Sequence, residues 1–167
     1  MISDVHLGKG SHFRKHGIAV PYQILEQNIQ NIQTLLDYFQ PQELLFLGDL
    51  FHSNYNHEWE FIPKLIQANT ETQFSLLLGN HDILPEHHYE KAGLQLYKNQ
   101  LIIAPFCFSH EPLADQALGH YIIAGHVHPG VQLKGAGRQR VVLPCFYIGV
   151  QQAILPAFGR FTGKYKI

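Results

Sequence analysis

The stretch Leu44-Leu45-Phe46-Leu47-Gly48-Asp49 sets a carboxylate just past four apolar residues. Packing gives no reason for this, because a desolvated carboxylate is costly unless it is paired or binds a metal. Four further sets share the design. Asp4 and His6 are spaced i, i+2, so in an extended chain both point to one side. Asn80 and His81 follow the run Phe74 to Leu78, His110 follows Pro105 to Ser109, and His126 and His128 follow Tyr121 to Gly125. Two aspartates, one asparagine and four histidines form a mixed oxygen and nitrogen set. Such a set suits Mn, Fe or Zn rather than Ca, and it lacks the thiolates of a structural zinc site. Seven side chains are too many for one ion, but with Asp49 shared they give four contacts to each of two. Two cations about 3.5–4 Å apart can clamp the attacking and leaving oxygens of a displacement at phosphorus, and they lower the pKa of water to about 7.

The elements that must deliver these ligands alternate in type through the first half. Residues 7–21 read as a loop carrying Lys9, His12, Arg14, Lys15 and His16. A helix is expected over Tyr22 to Phe39, where Leu25, Ile29, Ile32, Leu36 and Phe39 recur on one face and Pro41 stops it. After the Asp49 strand come a loop at Ser53 to Asn56, a helix over Glu58 to Asn69 and a buried strand at Phe74 to Leu78. Strand and helix in alternation argue for parallel strands, whose carboxyl ends gather functional groups. Short strands dominate the second half: Leu94 to Leu96, Leu101 to Ile103, Phe106 to Phe108, Tyr121 to Ala124, Val131 to Leu133, Val141 to Leu143 and Phe146 to Ile154. Past residue 92 only a turn at Leu113 to Leu118 is expected to be helical. The result is a second mixed sheet packed on the first, with helices outside. Because only three residues precede Asp4-Val5-His6, the first strand reads as truncated or as starting at an internal methionine.

The 167 residues show no linker, repeat or low-complexity tract and suit a single domain spanning 1–167. At 46% hydrophobic and 15% charged the chain is no disordered tail. A formal net charge of −1 means that any nucleic-acid contact must come from local patches. Cys107 and Cys145 lack CxxC spacing and read as two separate buried thiols. With no signal peptide and no membrane-length apolar run, the cytoplasm is the default location and no membrane partner is expected. Twelve histidines are more than ordinary usage provides, and those placed directly after strands call for a functional account.

The order Asp4-x-His6, Gly48-Asp49, Gly79-Asn80-His81-Asp82, His110, Gly125-His126-x-His128 resembles the calcineurin-like metallophosphoesterase superfamily. The resemblance implies an α/β fold, a four-layer αββα sandwich of two mixed sheets flanked by helices, with a dinuclear site. It assigns Asp4, His6, Asp49 and His128 to one ion and Asp49, Asn80, His110 and His126 to the other. It makes His81 a non-ligand that protonates the leaving oxygen or stabilises the phosphorane, oriented by Asp82. Further stretches (Ile2 to Lys9, Phe13-Arg14, Gly17 to Pro21, Leu47 to Ser53, Ser109 to Pro112, Gly125 to Pro129, Leu143 to Phe146 and Leu155 to Gly163) are similar to the ligase-associated DNA damage response endonuclease (PdeM) family. That family implies manganese-dependent cleavage of single-stranded DNA, and functional association with a DNA ligase, a helicase and an exonuclease. Protein phosphatases of the superfamily continue Gly-Asp with a further Asp and Arg. Here His52 stands in that region, as in nucleases of double-strand-break repair, either touching substrate phosphate or orienting ligands.

Lys9, Arg14 and Lys15 lie just past the first ligand pair and are expected to meet backbone phosphates. Tyr55 and Trp59 either stack on bases or cap the core. Arg138 and Arg140 read as a hairpin tip. The expected activity is that of a dinuclear metal-dependent phosphodiesterase, a single-strand DNA endonuclease. Its rivals are a phosphoesterase of cyclic nucleotides or small monoesters, and a non-catalytic scaffold. Oligomeric state stays open, a homodimer among the outcomes.

Overall fold

The computed structural model describes residues 1–167 except 22, 53 and 114–118. Strand β1 (Glu43–Leu47) is buried on both faces, and its side chains divide by parity. Leu44 and Phe46 point into a core with Ile32 and Leu36 of α2 (Gln23–Phe39), Ile62 and Leu65 of α3 (Phe61–Ala68) and Tyr89 of α4 (Glu86–Lys91). Leu45 and Leu47 point the other way, onto Leu77, Phe108, Leu101 and Ile123. A strand covered by helices on one face and a sheet on the other has no polar side, so its sequence runs apolar without alternation. Each fully buried Leu or Phe contributes roughly 1.5–3 kcal/mol to this packing.

The first sheet runs β1-β2-β3, all parallel, with β2 at Gln73–Leu77 and β3 at Leu94–Tyr97. The second runs β4-β5-β6-β10-β9, from Gln100–Ile103, Phe106–Ser109, Tyr121–Ala124, Gln152–Ile154 and Tyr147–Ile148. Its central strands β5, β6 and β10 are parallel, and its edges β4 and β9 antiparallel. A small third sheet joins β7 (Pro129–Lys134), β8 (Arg140–Pro144) and β11 (Tyr165–Lys166).

The expected mixed α/β fold of packed sheets and helices is present, and the differences lie in detail. Leu94 to Leu96 was expected in the second sheet but extends the first, because α4 returns the chain beside β2. Phe146 to Ile154 is not one strand: Gly149 turns it into the β9/β10 hairpin, with Gly149 N–H donating to Gln152 O at 2.8 Å. The second-half strands form two sheets rather than one. The loop expected over 7–21 contains α1 (Lys9–Lys15). The helix expected over Glu58 to Asn69 is a 3-10 turn (His57–Glu60) capped by the Asn56 side chain, followed by α3. Gln40, at φ 43°, ends α2 before Pro41. A short 3-10 turn, Ala136–Arg138, sits at the β7/β8 tip. Most of the turn expected at Leu113 to Leu118, and the expected helix start at Tyr22, lie outside the described residues. Among the described residues no helix is long and apolar enough to cross a membrane.

What positions the site is the alignment of strand ends. Leu47 pairs with Leu77, so Gly48-Asp49 and Gly79-Asn80 leave the first sheet side by side. Ser109 pairs with Ala124, so His110 and Gly125-His126 leave the second sheet together. The N-terminal segment lies against both sheets, with bridges from Ile2 to Phe46, Leu7 to Phe51 and Ser3 to Ala157.

Candidate metal centre

The seven predicted ligands converge into two groups around Asp49. Ligand atoms of Asp4, His6 and His128 lie within 4.8 Å of one another, as do those of Asp49, His110 and His126. Asp49 stands between the groups with one oxygen toward each: Oδ2 is 3.7 Å from His6 Nε2, and Oδ1 is 3.4 Å from His110 Nε2. Asn80 Oδ1 completes the second group, 3.0 Å from His110 Nε2 and 3.1 Å from His126 Nδ1. In the first group His128 Nε2 is 3.1 Å from Asp4 Oδ1.

Local backbone geometry turns these side chains inward. Asp4, His6, Asp49, His126 and His128 all have φ between 50° and 65°, in the left-handed region. Asp, Asn and His tolerate that region better than most residues, but each such turn costs on the order of 1 kcal/mol or more. Glycines clear the space. A Cβ on Gly48 would lie 2.0 Å from His110 Nδ1, and one on Gly79 would lie 2.3 Å from Asp49 Oδ1.

The two groups differ in electrostatics. Burial, helped by the Lys9 charge, drives the His6 imidazole down to about 3 against the pull of Asp49 and Asp4, so it is neutral at neutral pH. Burial would also lower His110, but the hydrogen bond and charge of Asp49 outweigh it and raise it to about 9. Asp49 answers in kind: burial pushes its carboxyl up, while His110, the His81 amide and His6 together hold it at about 2.

Asp4 Oδ1, His6 Nε2 and His128 Nε2 are buried without hydrogen-bond partners. Buried polar atoms are otherwise almost always satisfied, and three converging orphans mark a place built for a cation. A match to the calcineurin-like phosphoesterase family covers residues 1–142. The chain belongs to the calcineurin-like phosphoesterase family. Among solved structures, this phosphoesterase is similar to one titled "Crystal structure of Pseudomonas putida nuclease MPE". The two are 30% identical with a TM-score of 0.80, over 99% of this chain and 76% of that one. No curated protein matches the chain. The family uses a dinuclear divalent metal centre, and the orphaned donors and the mixed O/N set here fit one.

The residues outside the ligand set divide. His81 belongs to neither group. Its amide donates to Asp49 Oδ1 at 2.9 Å, and its ring lies 5.3 Å from that of His6 and stacks at 4.2 Å on His52. His52 Nδ1 faces His6 Nδ1 at 3.2 Å, and burial together with His81, Lys9 and His12 lowers it to about 4. Asp82, expected to orient His81, instead accepts from the amides of Phe51 and Gly79 at 3.0 and 2.9 Å, clasping the two ligand loops. Burial raises its carboxyl to about 7, with those amides opposing and Asp49 adding.

Lys9 is close enough for Asp49 and Asp4 to raise its pKa against a larger desolvation effect that lowers it. Arg14 lines a pocket with His6 and Lys9 and is tied into the fold. Its guanidinium donates to Glu58 at 2.7 Å, to Ser11 Oγ and to the Val20 carbonyl, and its side chain is 18% exposed. Glu58, which sequence reasoning passed over, is buried, and it also accepts from Gly8 N–H and Ser11 Oγ. Nothing local in the sequence distinguishes it from a solvated acid. Lys15 is exposed. Trp59 is core, edge-on to Phe51 and Tyr89, while Tyr55 is exposed.

Proposed function

We propose that this phosphoesterase is a manganese-dependent endonuclease that cleaves single-stranded DNA during repair. The observation that carries the phosphodiesterase chemistry is Asp49, with one carboxylate oxygen turned to each ligand group. The nuclease assignment is supported by the similarity to a structure titled as a nuclease and by the resemblance to the PdeM family. Association with a ligase, a helicase and an exonuclease in the cytoplasm belongs to the same proposal.

Asp4, His6, Asp49 and His128 would hold one divalent ion and Asp49, Asn80, His110 and His126 the other. When bound, the pair supplies an activated water and neutralises charge that develops at phosphorus. The chain's own residues do the rest. A ligating imidazole commonly donates its second N–H to a neighbour, which fixes its tautomer. With Nε2 of His6 kept for a cation, its Nδ1 carries the proton and donates to a neutral His52, so His52 holds that ligand in position. His110 likewise donates from Nδ1 to the Leu47 carbonyl, 3.2 Å away, leaving Nε2 free. His81, outside both groups, donates a proton to the departing sugar oxygen, and Asp82 steadies it by holding the loops on either side. Lys9 and Lys15 contact substrate phosphate, while Arg14 serves the site by fixing α1 to Glu58.

The test is hydrolysis, with Mn, of single-stranded DNA, bis-p-nitrophenyl phosphate, p-nitrophenyl phosphate and cyclic nucleotides. Cleavage of DNA and the diester, with little monoester turnover, is expected. Brisk monoester or cyclic-nucleotide hydrolysis without DNA cleavage would reassign the substrate, and no hydrolysis at all would make the chain a scaffold.

A further inference from the structure

We infer that the cavity beside His128, walled by the segment Ala157 to Lys164, is a subsite for a backbone phosphate of the strand, next to the one being cleaved. This rests on the nuclease reading and adds to it where the neighbouring phosphate sits. The cavity measures about 310 Å³, the size class of small-ligand pockets. His128, a ligand of the first group, forms one wall with Pro129 and Pro144. Arg160, Thr162 and Lys164 stand in the other. Among the described residues no acidic one lines it. Arg160 and Lys164 are exposed, and among the described residues neither forms a salt bridge. Two uncompensated cations on an otherwise neutral wall favour an anion, and a net charge of −1 makes such a local patch the more telling.

The wall is also fixed in register with the metal ligands at both ends. Gly159 N–H donates to the Asp4 carbonyl at 3.1 Å, and Phe158 N–H donates to Ser3 O at 2.9 Å. At the far end Tyr165 N–H donates to the His128 carbonyl at 2.9 Å. The segment that carries both cations is thus strung between the backbones of two ligands of one group. A Cβ on Gly159 would lie 2.2 Å from Val5 O, so this close approach requires glycine. A phosphate held here would sit at a set displacement from the centre, as the neighbour of a scissile phosphate does. In-line displacement gains from fixing the strand on either side of the reacting phosphorus. Lys9 lies near His6 and His52.

The experiment compares the native chain with Arg160→Gln/Lys164→Gln and, as a milder change, Lys164→Gln alone. Each is first checked to hold the same number of Mn ions. Affinity for a labelled oligothymidylate is read by anisotropy across salt, in a His81→Ala background that slows turnover. Steady-state hydrolysis is read on single-stranded DNA and on bis-p-nitrophenyl phosphate. Neutralising one phosphate of a single strand releases about 0.7 of a counterion, so the double variant should flatten the salt slope by about 0.7 and the single variant by less. KM for DNA should rise about tenfold while hydrolysis of the small diester stays within about twofold. Oligonucleotides with a 5′-phosphate and with a 5′-hydroxyl should lose affinity alike; loss confined to the phosphorylated one would overturn the assignment to a backbone phosphate. An unchanged slope and KM, with the native chain cleaving DNA, would overturn the subsite alone, as would an equal loss on the small diester. A native chain that hydrolyses the diester but never DNA would overturn the nuclease reading and the subsite with it.

Discussion

The two ligand groups share Asp49 yet are built differently. Asp4, His6 and His128 are enclosed, and three of their polar atoms make no hydrogen bond, although His128 Nε2 lies 3.1 Å from Asp4 Oδ1. Asn80, His110 and His126 satisfy one another through contacts of 3.0–3.2 Å, and Asn80 and His126 are exposed. Burial keeps His6 of the first group neutral, at a desolvation cost that a cation would relieve. The second holds its place through an imidazolium–carboxylate pair, which a cation must break. On the proposed ligand assignment, the second group would have to give up a proton from His110 to take its ion, and His6 of the first would not.

The largest effect on this comparison comes from removing the shared carboxylate. Asp49→Ala should abolish hydrolysis and binding of both ions, measured by metal analysis at saturating Mn. If one ion remained with activity, the groups would be independent sites rather than halves of one centre. Next, His81→Ala should keep both ions while slowing turnover at least about 10²-fold, the scale of a lost general acid or transition-state contact. Loss of metal in this variant would move His81 into a ligand or supporting role.

The groups should also separate by pH. A ligating histidine must be neutral. His110, raised to about 9, is protonated at pH 7 and must release that proton when an ion binds, whereas His6, lowered to about 3, has none to release. Calorimetry in buffers of different ionisation enthalpy should find about one proton released for the second ion and close to none for the first. Affinity of the second site should climb towards tenfold per pH unit between 7 and 9 and then level, while the first stays flat. Equal pH dependence at both sites would erase the distinction.

The smallest effect on chemistry is expected outside the centre. Arg14→Ala leaves Glu58 buried without its cation and should lower stability by roughly 3 kcal/mol, read by denaturant unfolding. Small-diester turnover at low temperature should change far less than in His81→Ala. A stable variant with weaker DNA binding would instead return Arg14 to the substrate.

That these side chains would gather was legible in the sequence because most of them sit directly after an apolar run, and strand ends are local events. The covered sheet was legible for a related reason: Leu44 to Leu47 lacks the alternation that a half-exposed strand requires. The partner of Arg14 was not legible. Glu58 is 44 residues away, and only the approach of α1 to the turn before α3 makes the two neighbours. Trp59 was ambiguous for the same reason, since Phe51 and Tyr89, which enclose it, meet only in the fold.

By itself the sequence determined which atoms could hold cations, because donor chemistry is a property of residue type. It also determined that those atoms follow strands, because hydrophobic runs mark strands. Only the tertiary structure decided that Asp49 divides its oxygens between two groups, that His52 backs His6 while Asp82 clasps loops, and that the segment from Gly159 to Tyr165 joins the backbones of Asp4 and His128. Each of these depends on separations of a few ångströms between segments far apart in the chain, and those separations follow from sheet register and packing rather than from any local spacing.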